Sequence, residues 1–265
     1  MSTERMINLY RQGKYPIIAK SATAKGIFDI TIKCPHIASV AKAGQFAQVS
    51  AEGFFLRRPI SICDIDKDNG TIRLVFEVRG KGTDKISELN KGDLIDIIAP
   101  LGNGFKVLDK GKKAICIGGG IGTPPMVGIA KEYGENAAVI SGFRSANAVI
   151  LQDDFKAMGC ETILCTDDGT AGIHGFVTDA LKDKLNDEKP DIIYACGPMP
   201  MLKAIVALAE QYNIETQVSL EQRMACGVGA CLVCVCRTVK DGKEMLSHVC
   251  KDGPVFDGKE VDFNG

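Results

Sequence analysis

The stretch Lys113-Ala114-Ile115-Cys116-Ile117-Gly118-Gly119-Gly120-Ile121-Gly122-Thr123-Pro124-Pro125 decides the fold of the second half of the chain. Its apolar start is typical of a short buried strand, and its two prolines are tolerated in the first turn of a helix. The glycines between them let a phosphate approach the backbone. Strand, glycine turn and helix start together predict a cradle for a dinucleotide pyrophosphate, although triple glycine can also be only a tight turn.

The residues after this stretch alternate between strand and helix patterns. Strands are predicted near 137–142, 161–165 and 192–196, and helices near 151–158, 177–185 and 200–212. This alternation predicts a parallel sheet with helices on both faces. The third strand ends in Cys196-Gly197-Pro198-Met199-Pro200. Ligands bind beyond the carboxyl ends of such strands, so we expect this loop and Gly118–Thr123 to face one crevice.

The first hundred residues have a different hydrophobic pattern. Phe28-Asp29-Ile30-Thr31-Ile32-Lys33 alternates apolar with polar residues, and Thr71-Ile72-Arg73-Leu74 does the same. Glycine-containing turns such as Asp68-Asn69-Gly70 separate the predicted strands. This spacing predicts a small antiparallel β-barrel. A short helix is predicted over 83–89, with Thr83 as its N-cap.

Four cysteines near the C-terminus follow a C-x4-C-x2-C pattern with a distant fourth thiol: Cys226, Cys231, Cys234 and Cys250. This is the spacing of a plant-type [2Fe-2S] site, and the small residues between the cysteines leave room for amides to point at sulfurs. Structural zinc prefers paired C-x2-C ligands, so zinc and unliganded thiols are the alternatives. Cys236 follows Cys234 by two residues on a predicted strand and could replace Cys250 as the fourth ligand.

Composition limits the classes of partner. The chain has 265 residues, with 32 basic and 33 acidic side chains and a net charge of −1. This balance gives no support to a nucleic-acid or membrane-surface partner, and no apolar run has the roughly 20 residues that a membrane span needs. The N-terminus lacks the apolar stretch of a secretory signal, so we expect a cytoplasmic protein. The remaining cysteines read as small core side chains: Cys34, Cys63, Cys116, Cys160, Cys165 and Cys196.

Three domains are predicted. An antiparallel β-barrel occupies residues 1–102, an α/β domain with a parallel sheet occupies 103–216, and a small cluster-binding module occupies 217–265. The turn Pro100-Leu101-Gly102-Asn103-Gly104 is the expected linker between the first two.

This order of barrel, nucleotide domain and cysteine module resembles the ferredoxin-NADP reductase-like flavoproteins. Within them, it resembles the electron-transfer subunit of class 1B dihydroorotate dehydrogenases over essentially the whole chain. Arg58-Pro59-Ile60-Ser61 is similar to the flavin motif of that superfamily, with Ile60 in place of a common tyrosine. The resemblance implies FAD, with Arg58 on its phosphates and Ser61 near the isoalloxazine ring.

The resemblance extends to further positions. Val75-Phe76-Glu77 and Gly82-Thr83 align with other FAD contacts of the family, and the glycine loop and Cys196-Gly197-Pro198 resemble its nicotinamide-binding segments. The resemblance implies an NADH-linked subunit, working in pyrimidine (UMP) biosynthesis, whose cluster serves the FMN of a separate catalytic subunit. A heterotetramer of two subunit pairs is implied. The chain itself offers no candidate residues for dihydroorotate oxidation.

Alternatives remain at this stage. A related subunit of a sulfide dehydrogenase or a ferredoxin:NADP transhydrogenase has a similar architecture, but some of those relatives replace one cluster cysteine with aspartate. A zinc-stabilised nucleotide-binding redox sensor is a candidate of another class. Arg144-Ser145 after the second strand superficially suggests NADPH, since arginine can accommodate a 2′-phosphate. The family resemblance implies NADH instead.

Overall fold

A closed antiparallel barrel forms the first part of the computed structural model, which describes residues 10–109 and 111–264. Its strands are joined in the order β1-β2-β5-β4-β3-β6. They are β1 (Arg11–Ala24), β2 (Ile27–Lys33), β3 (Phe46–Val49), β4 (Arg58–Asp66), β5 (Thr71–Glu77) and β6 (Leu94–Leu101). Closure leaves no unpaired sheet edge, and isoleucines such as Ile30, Ile72 and Ile97 fill the interior.

Side-chain alternation in β3 determines which of its residues face the barrel interior and which face the second domain. Ala47 and Val49 lie in the barrel core. Because successive side chains of a strand point to opposite faces, Phe46 and Gln48 point outward. Phe46 packs into the core of the second domain instead. This outer face of β3 is therefore buried between the barrel and the C-terminal half of the chain.

Two short helices accompany the barrel, α1 (Pro35–Val40) and α2 (Lys81–Ser87). The predicted start of α2 was wrong by two residues. Thr83 is not its N-cap, because the helix begins at Lys81 and the flanking cap is Gly80. The hydroxyl of Thr83 accepts hydrogen bonds from the amides of Arg79 (2.9 Å) and Gly80 (3.2 Å). It therefore satisfies two backbone donors from inside the first helical turn.

The second part is a parallel sheet flanked by helices, as the sequence predicted. Its strands are β7 (Ala114–Gly119), β8 (Ala137–Phe143), β9 (Glu161–Thr166), β10 (Ile173–His174), β11 (Ile192–Cys196) and β12 (Glu215–Ser219). Its helices are α3 (Pro124–Tyr133), α4 (Gln152–Ala157), α5 (Val177–Asp187) and α6 (Met199–Gln211). The strand order is β10-β9-β8-β7-β11-β12: β8, β9 and β10 are added on one side of β7, and β11 and β12 on the other. The carboxyl ends of β7 and β11 are thus the topological switch point, where open sheets of this kind bind ligands.

The C-terminal segment holds a hairpin of β13 (Val235–Lys240) and β14 (Lys243–His248), followed by β15 (Val255–Asp257). β15 returns to the large sheet and pairs antiparallel with β12. The predicted linker is also tied to this segment, because the Asn103 amide donates hydrogen bonds to the carbonyls of Lys251 (3.1 Å) and Asp252 (2.8 Å). β12 (Glu215–Ser219) spans the predicted boundary at 216/217, and the bounds of the three domains stay a prediction.

Six cysteines predicted as core side chains are buried free thiols: Cys34, Cys63, Cys116, Cys160, Cys165 and Cys196. Burial raises the pKa of each of them. Within the described residues, no helix combines the length and apolar character needed to cross a membrane. The N-terminal residues on which the secretion argument depends lie outside the described part of the chain.

Candidate functional site

The two predicted nucleotide loops meet in direct backbone contact. A Cβ placed on Gly122 would lie 2.4 Å from the carbonyl oxygen of Cys196 and 2.8 Å from the Cα of Gly197. A Cβ on Gly119 would lie 2.6 Å from the sulfur of Met201 and 3.1 Å from Pro198. Only glycine permits this close approach. The loops after β7 and β11 therefore form one crevice at the switch point of the sheet.

Gly120 and Thr123 show that this crevice is shaped for a ligand. Gly120 has a φ of 54°, and a Cβ there would meet nothing within 4 Å, so its Cα faces open space. Thr123 is fully buried, and its hydroxyl has no hydrogen-bond partner among the described residues. Buried polar groups are normally paired, so an unpaired hydroxyl at a helix start fits a dinucleotide that supplies the missing partner.

The predicted flavin residues line a second cleft, of about 200 Å³. The barrel contributes Pro59, Ile60, Ser61, Val75, Phe76, Glu77 and Thr83 to its wall. Ile121 of the glycine loop lines the same cleft, so the nucleotide crevice and this cleft adjoin each other.

Arg58 and Gly82 lie beside that cleft and contact each other. A Cβ on Gly82 would lie 2.1 Å from Nε of Arg58, so the guanidinium passes directly over the glycine Cα. On its other side Arg58 lies 5.2 Å from the centroid of the Phe54 ring. Its Nη1 donates a hydrogen bond to the Leu56 carbonyl at 2.5 Å. The arginine carries no carboxylate partner among the described residues, so its charge is available to an anionic ligand.

The cysteine segment folds around the predicted thiols. Cys226 and Cys231 lie with their sulfurs 3.4 Å apart. The amides of Val228 (3.5 Å) and Ala230 (3.3 Å) donate to the sulfur of Cys226. Burial opposes ionisation of Cys226, but hydrogen bonds from Val228, Cys231 and Ala230 outweigh it and lower the pKa of this thiol to about 6. The loop therefore stabilises a thiolate, the form that binds iron.

Cys250 and Cys234 form the other half of the group. The amide of Gly229 donates to the sulfur of Cys250 at 3.1 Å, which brings Cys250 to the loop of Cys226. Burial and the neighbouring Cys234 thiol raise the pKa of Cys250 to about 12. Among the described residues, no three His, Cys, Asp or Glu side chains converge on a single ion position. Thiols in two pairs suit a two-iron cluster, in which each iron takes two thiolates, better than one tetrahedral zinc ion.

Cys236 lies on β13 and packs against the core of the second domain. Burial and the neighbouring Cys234 raise its pKa to about 11. No amide of the cysteine loop donates to its sulfur among the described residues. The geometry thus brings Cys250, and not Cys236, onto the loop.

Several residues of the cleft were not predicted from the sequence. The segment just before the cysteines closes one side of the flavin cleft with Leu220, Glu221, Gln222 and Met224, and Pro254 adds to it from beyond the hairpin. Phe46 lines the cleft and also packs with Cys234 and Cys250 in one hydrophobic core. Arg144 lies exposed just after the end of β8. The Thr170 hydroxyl donates a hydrogen bond to Oδ1 of Asp168 at 2.6 Å, which is typical of an exposed turn.

Comparisons with known proteins agree with this geometry. Residues 221–262 match the family described as the iron-sulfur cluster binding domain of dihydroorotate dehydrogenase B, and residues 116–207 match the oxidoreductase NAD-binding domain. A relative from Listeria monocytogenes serotype 4a, named dihydroorotate dehydrogenase B (NAD(+)), electron transfer subunit, is 40% identical over 94% of this chain and 98% of its own length. A relative of the same name from Fusobacterium nucleatum is 40% identical over 91% of this chain and 94% of its own length.

Solved structures place the fold in the same group. The structure of an NADH-dependent reduced ferredoxin-NADP oxidoreductase, described in connection with flavin-based electron bifurcation, superposes with a TM-score of 0.83. It is 32% identical and covers 95% of this chain and 91% of its own. An Amycolatopsis cytochrome P450 reductase shares the fold, with a TM-score of 0.65 and 22% identity over 76% of this chain and 66% of its own.

The barrel, the nucleotide sheet and the cysteine module define a ferredoxin reductase-like oxidoreductase subunit that binds NAD and an iron–sulfur cluster. The resemblance noted in the sequence is confirmed at the level of the family. The chain belongs to the electron transfer subunits of dihydroorotate dehydrogenase B (NAD(+)).

Proposed function

We propose that this chain carries electrons between NAD(H) and the FMN of a dihydroorotate dehydrogenase catalytic subunit, through FAD and a [2Fe-2S] cluster, in pyrimidine biosynthesis. One observation carries the proposal. The cleft that suits FAD is walled by three parts of the chain: the barrel at Ser61, the glycine loop at Ile121, and the segment at Met224 that leads into the cysteine loop. Sites for nicotinamide, flavin and cluster are therefore contiguous.

The proposed ligands follow from this arrangement. FAD is assigned to Arg58, Pro59, Ile60, Ser61, Val75, Phe76, Glu77, Gly82 and Thr83. The nicotinamide dinucleotide is assigned to Gly118, Gly119, Gly120, Gly122, Thr123, Cys196, Gly197 and Pro198. The cluster is assigned to Cys226, Cys231, Cys234 and Cys250. The unpaired Thr123 hydroxyl, the carboxylate-free Arg58 and the amide-to-sulfur hydrogen bonds support these assignments.

Bound FAD would exchange a hydride with nicotinamide and single electrons with an iron–sulfur centre, which is chemistry that side chains do not supply. The chain contributes by binding the nucleotide and the flavin and by enclosing them. The glycine loop offers backbone amides and open space for a pyrophosphate, and Ser61 places a hydroxyl in the cleft wall. Phe46 fills the space between this wall and the buried thiols, and so excludes water from it.

A partner surface surrounds the cysteines. Leu232 is 73% exposed, and Val233 and Leu246 are also more than half exposed. Leu232 and Val233 lie between Cys231 and Cys234 in the chain, so their exposed apolar side chains support docking of the catalytic subunit near the cluster. We assign FMN to that partner and a heterotetramer of two subunit pairs to the assembly. The buried free thiols support a cytoplasmic location, where thiols stay reduced.

Purification of the chain with its associated protein tests this function. We expect a coloured protein with flavin absorbance, two iron atoms per chain and bleaching by NADH. A colourless protein that holds zinc and no flavin would favour the alternative of a zinc-stabilised redox sensor.

Arg58→Ala should weaken FAD binding. Charge-assisted hydrogen bonds are worth about 1.5–3 kcal/mol, which corresponds to roughly 10- to 100-fold in the dissociation constant of FAD. Titration of the apoprotein with FAD measures this. Arg57→Ala is the matched control, because the Arg57 guanidinium is already held by Asp96 at 3.0 Å. Equal FAD affinity in both variants would remove Arg58 from the flavin site.

Leu232→Lys should disrupt the proposed partner surface while the cluster absorbance stays intact. A central apolar contact costs about 2 kcal/mol or more when lost, so affinity for the catalytic subunit should fall by at least about tenfold. Gel filtration of the mixed subunits measures this. Leu94→Lys is the matched control, because Leu94 is an exposed leucine on the barrel. Unchanged association of the Leu232 variant would place the partner elsewhere.

NADH should reduce the bound flavin faster than NADPH. The nucleotide preference is proposed from the family, since its members are named for NAD(+). Arg144 is exposed at the end of β8 and is read as a solvated side chain rather than a 2′-phosphate ligand. Stopped-flow reduction with each nucleotide decides this, and a clear NADPH preference would assign Arg144 to the nucleotide.

A further inference from the structure

Gln48 is a buried amide without a partner. Its side chain is 0% exposed, and neither Oε1 nor Nε2 has a hydrogen-bond partner among the described residues. A buried amide in this condition is unfavourable compared with an apolar side chain of the same size. The position therefore suits a residue whose partner is a bound group.

The side chain of Gln48 lies against the cysteine loop. A Cβ added to Gly227 would lie 2.6 Å from both Cγ and Nε2 of Gln48, so the amide rests directly on the backbone of Gly227. Gly227 has a φ of 71° and follows Cys226 in the chain. The sulfur of Cys226 already accepts hydrogen bonds from the Val228 and Ala230 amides of the same loop.

Gln48 also borders the flavin cleft. It is paired in register with Pro59 of β4, whose ring lines the cleft. It follows Phe46 by two residues on the same outer face of β3, and Phe46 touches both the cleft and the core around Cys234. The amide thus lies at the junction between the flavin wall and the cysteine loop.

We propose that Nε2 of Gln48 donates a hydrogen bond to a sulfur of the cluster held by the Cys226 loop, and that this bond raises the reduction potential of the cluster. The inference rests on the proposed function, since it needs the cluster to be present. A donor beside a sulfur stabilises the additional negative charge of the reduced cluster. Gln48 contacts the cluster directly in this scheme, and it comes from the barrel and not from the cysteine module.

Gln48→Met removes the donor and keeps a side chain of similar length. We expect full iron content and flavin, with the equilibrium constant for one-electron reduction of the cluster lowered about tenfold, which is 59 mV for a one-electron couple. The flavin potential should stay unchanged. Redox titration followed by EPR measures both. Thr216→Val is the matched control, because it removes a different buried polar group without a partner, the Thr216 hydroxyl on β12. An unchanged cluster potential in Gln48→Met, or an equal shift in the control, would overturn the proposal.

A second measurement needs no substitution. Protein labelled with ¹⁵N in the glutamine side-chain amide should show a nitrogen hyperfine coupling to the reduced cluster in pulsed EPR. A reduced cluster without such a coupling overturns the role of Gln48 and leaves the proposed function standing. A protein without iron would instead overturn the proposed function itself, so the two failures are distinguishable.

Discussion

Cys250→Ser should abolish dihydroorotate-dependent NAD⁺ reduction in the assembled enzyme. The reason is that the Cys250 sulfur lies on the cysteine loop, 3.1 Å from the Gly229 amide, and its loss leaves one iron with a single thiolate. The variant should lose the cluster absorbance and EPR signal. NADH should still reduce the FAD of this variant, as measured with an artificial acceptor. The reason is that neither the proposed FAD site nor the proposed nicotinamide site includes Cys250.

Cys236→Ser is the matched control for this result. Cys236 packs against the core of the second domain, and among the described residues no amide of the cysteine loop donates a hydrogen bond to its sulfur. The control should keep its cluster and its rate. Retention of the cluster in the Cys250 variant and loss in the Cys236 variant would show that Cys236 is the fourth ligand.

Gly122→Ala should make NADH a poor reductant of the flavin. The new Cβ would lie 2.4 Å from the carbonyl oxygen of Cys196 and 2.6 Å from its carbonyl carbon, and backbone atoms cannot swing away as a side chain would. Overpacking of this kind costs about 1–3 kcal/mol, so KM for NADH should rise by roughly 5- to 150-fold. Steady-state NADH oxidation measures this, and FAD and iron content should match the wild type.

Gly26→Asn serves as the control for replacing a glycine. Gly26 lies in the turn between β1 and β2 with a φ of 74°, a conformation that asparagine tolerates, and a Cβ there meets nothing within 4 Å. Its NADH oxidation should equal the wild type. An unchanged KM in Gly122→Ala would mean that the two loops do not form the nucleotide crevice.

The sequence predicted those parts of the fold that depend on local pattern. The glycine stretch after Ile117 and the apolar strands beside it follow from short-range periodicity and turn chemistry, so β7, β8 and β11 appear within two residues of their expected bounds. The start of α2 was missed because a threonine hydroxyl can satisfy amides equally well from the N-cap and from the third helical residue, as Thr83 does.

Contacts between distant segments could not be read from the sequence. β15 returns to β12 after the hairpin, and Pro254 and Leu220 reach the flavin cleft only because of that pairing. The role of Gln48 could not be predicted, because a single glutamine on a short strand belongs to no sequence motif. Its position becomes informative only through its contact with Gly227, which is far away in the chain. The sequence therefore predicted three separate motifs, and only the structure showed that they contact one another.

The most direct test of the account is reconstitution of the purified chain with the catalytic subunit, followed by measurement of NAD⁺ reduction by dihydroorotate. We expect that the catalytic subunit alone does not reduce NAD⁺. Addition of this chain, loaded with FAD and the cluster, should restore the rate until one chain is present per catalytic subunit. A catalytic subunit that reduces NAD⁺ equally fast without the chain, or a mixture that forms no complex and gains no rate, would contradict it.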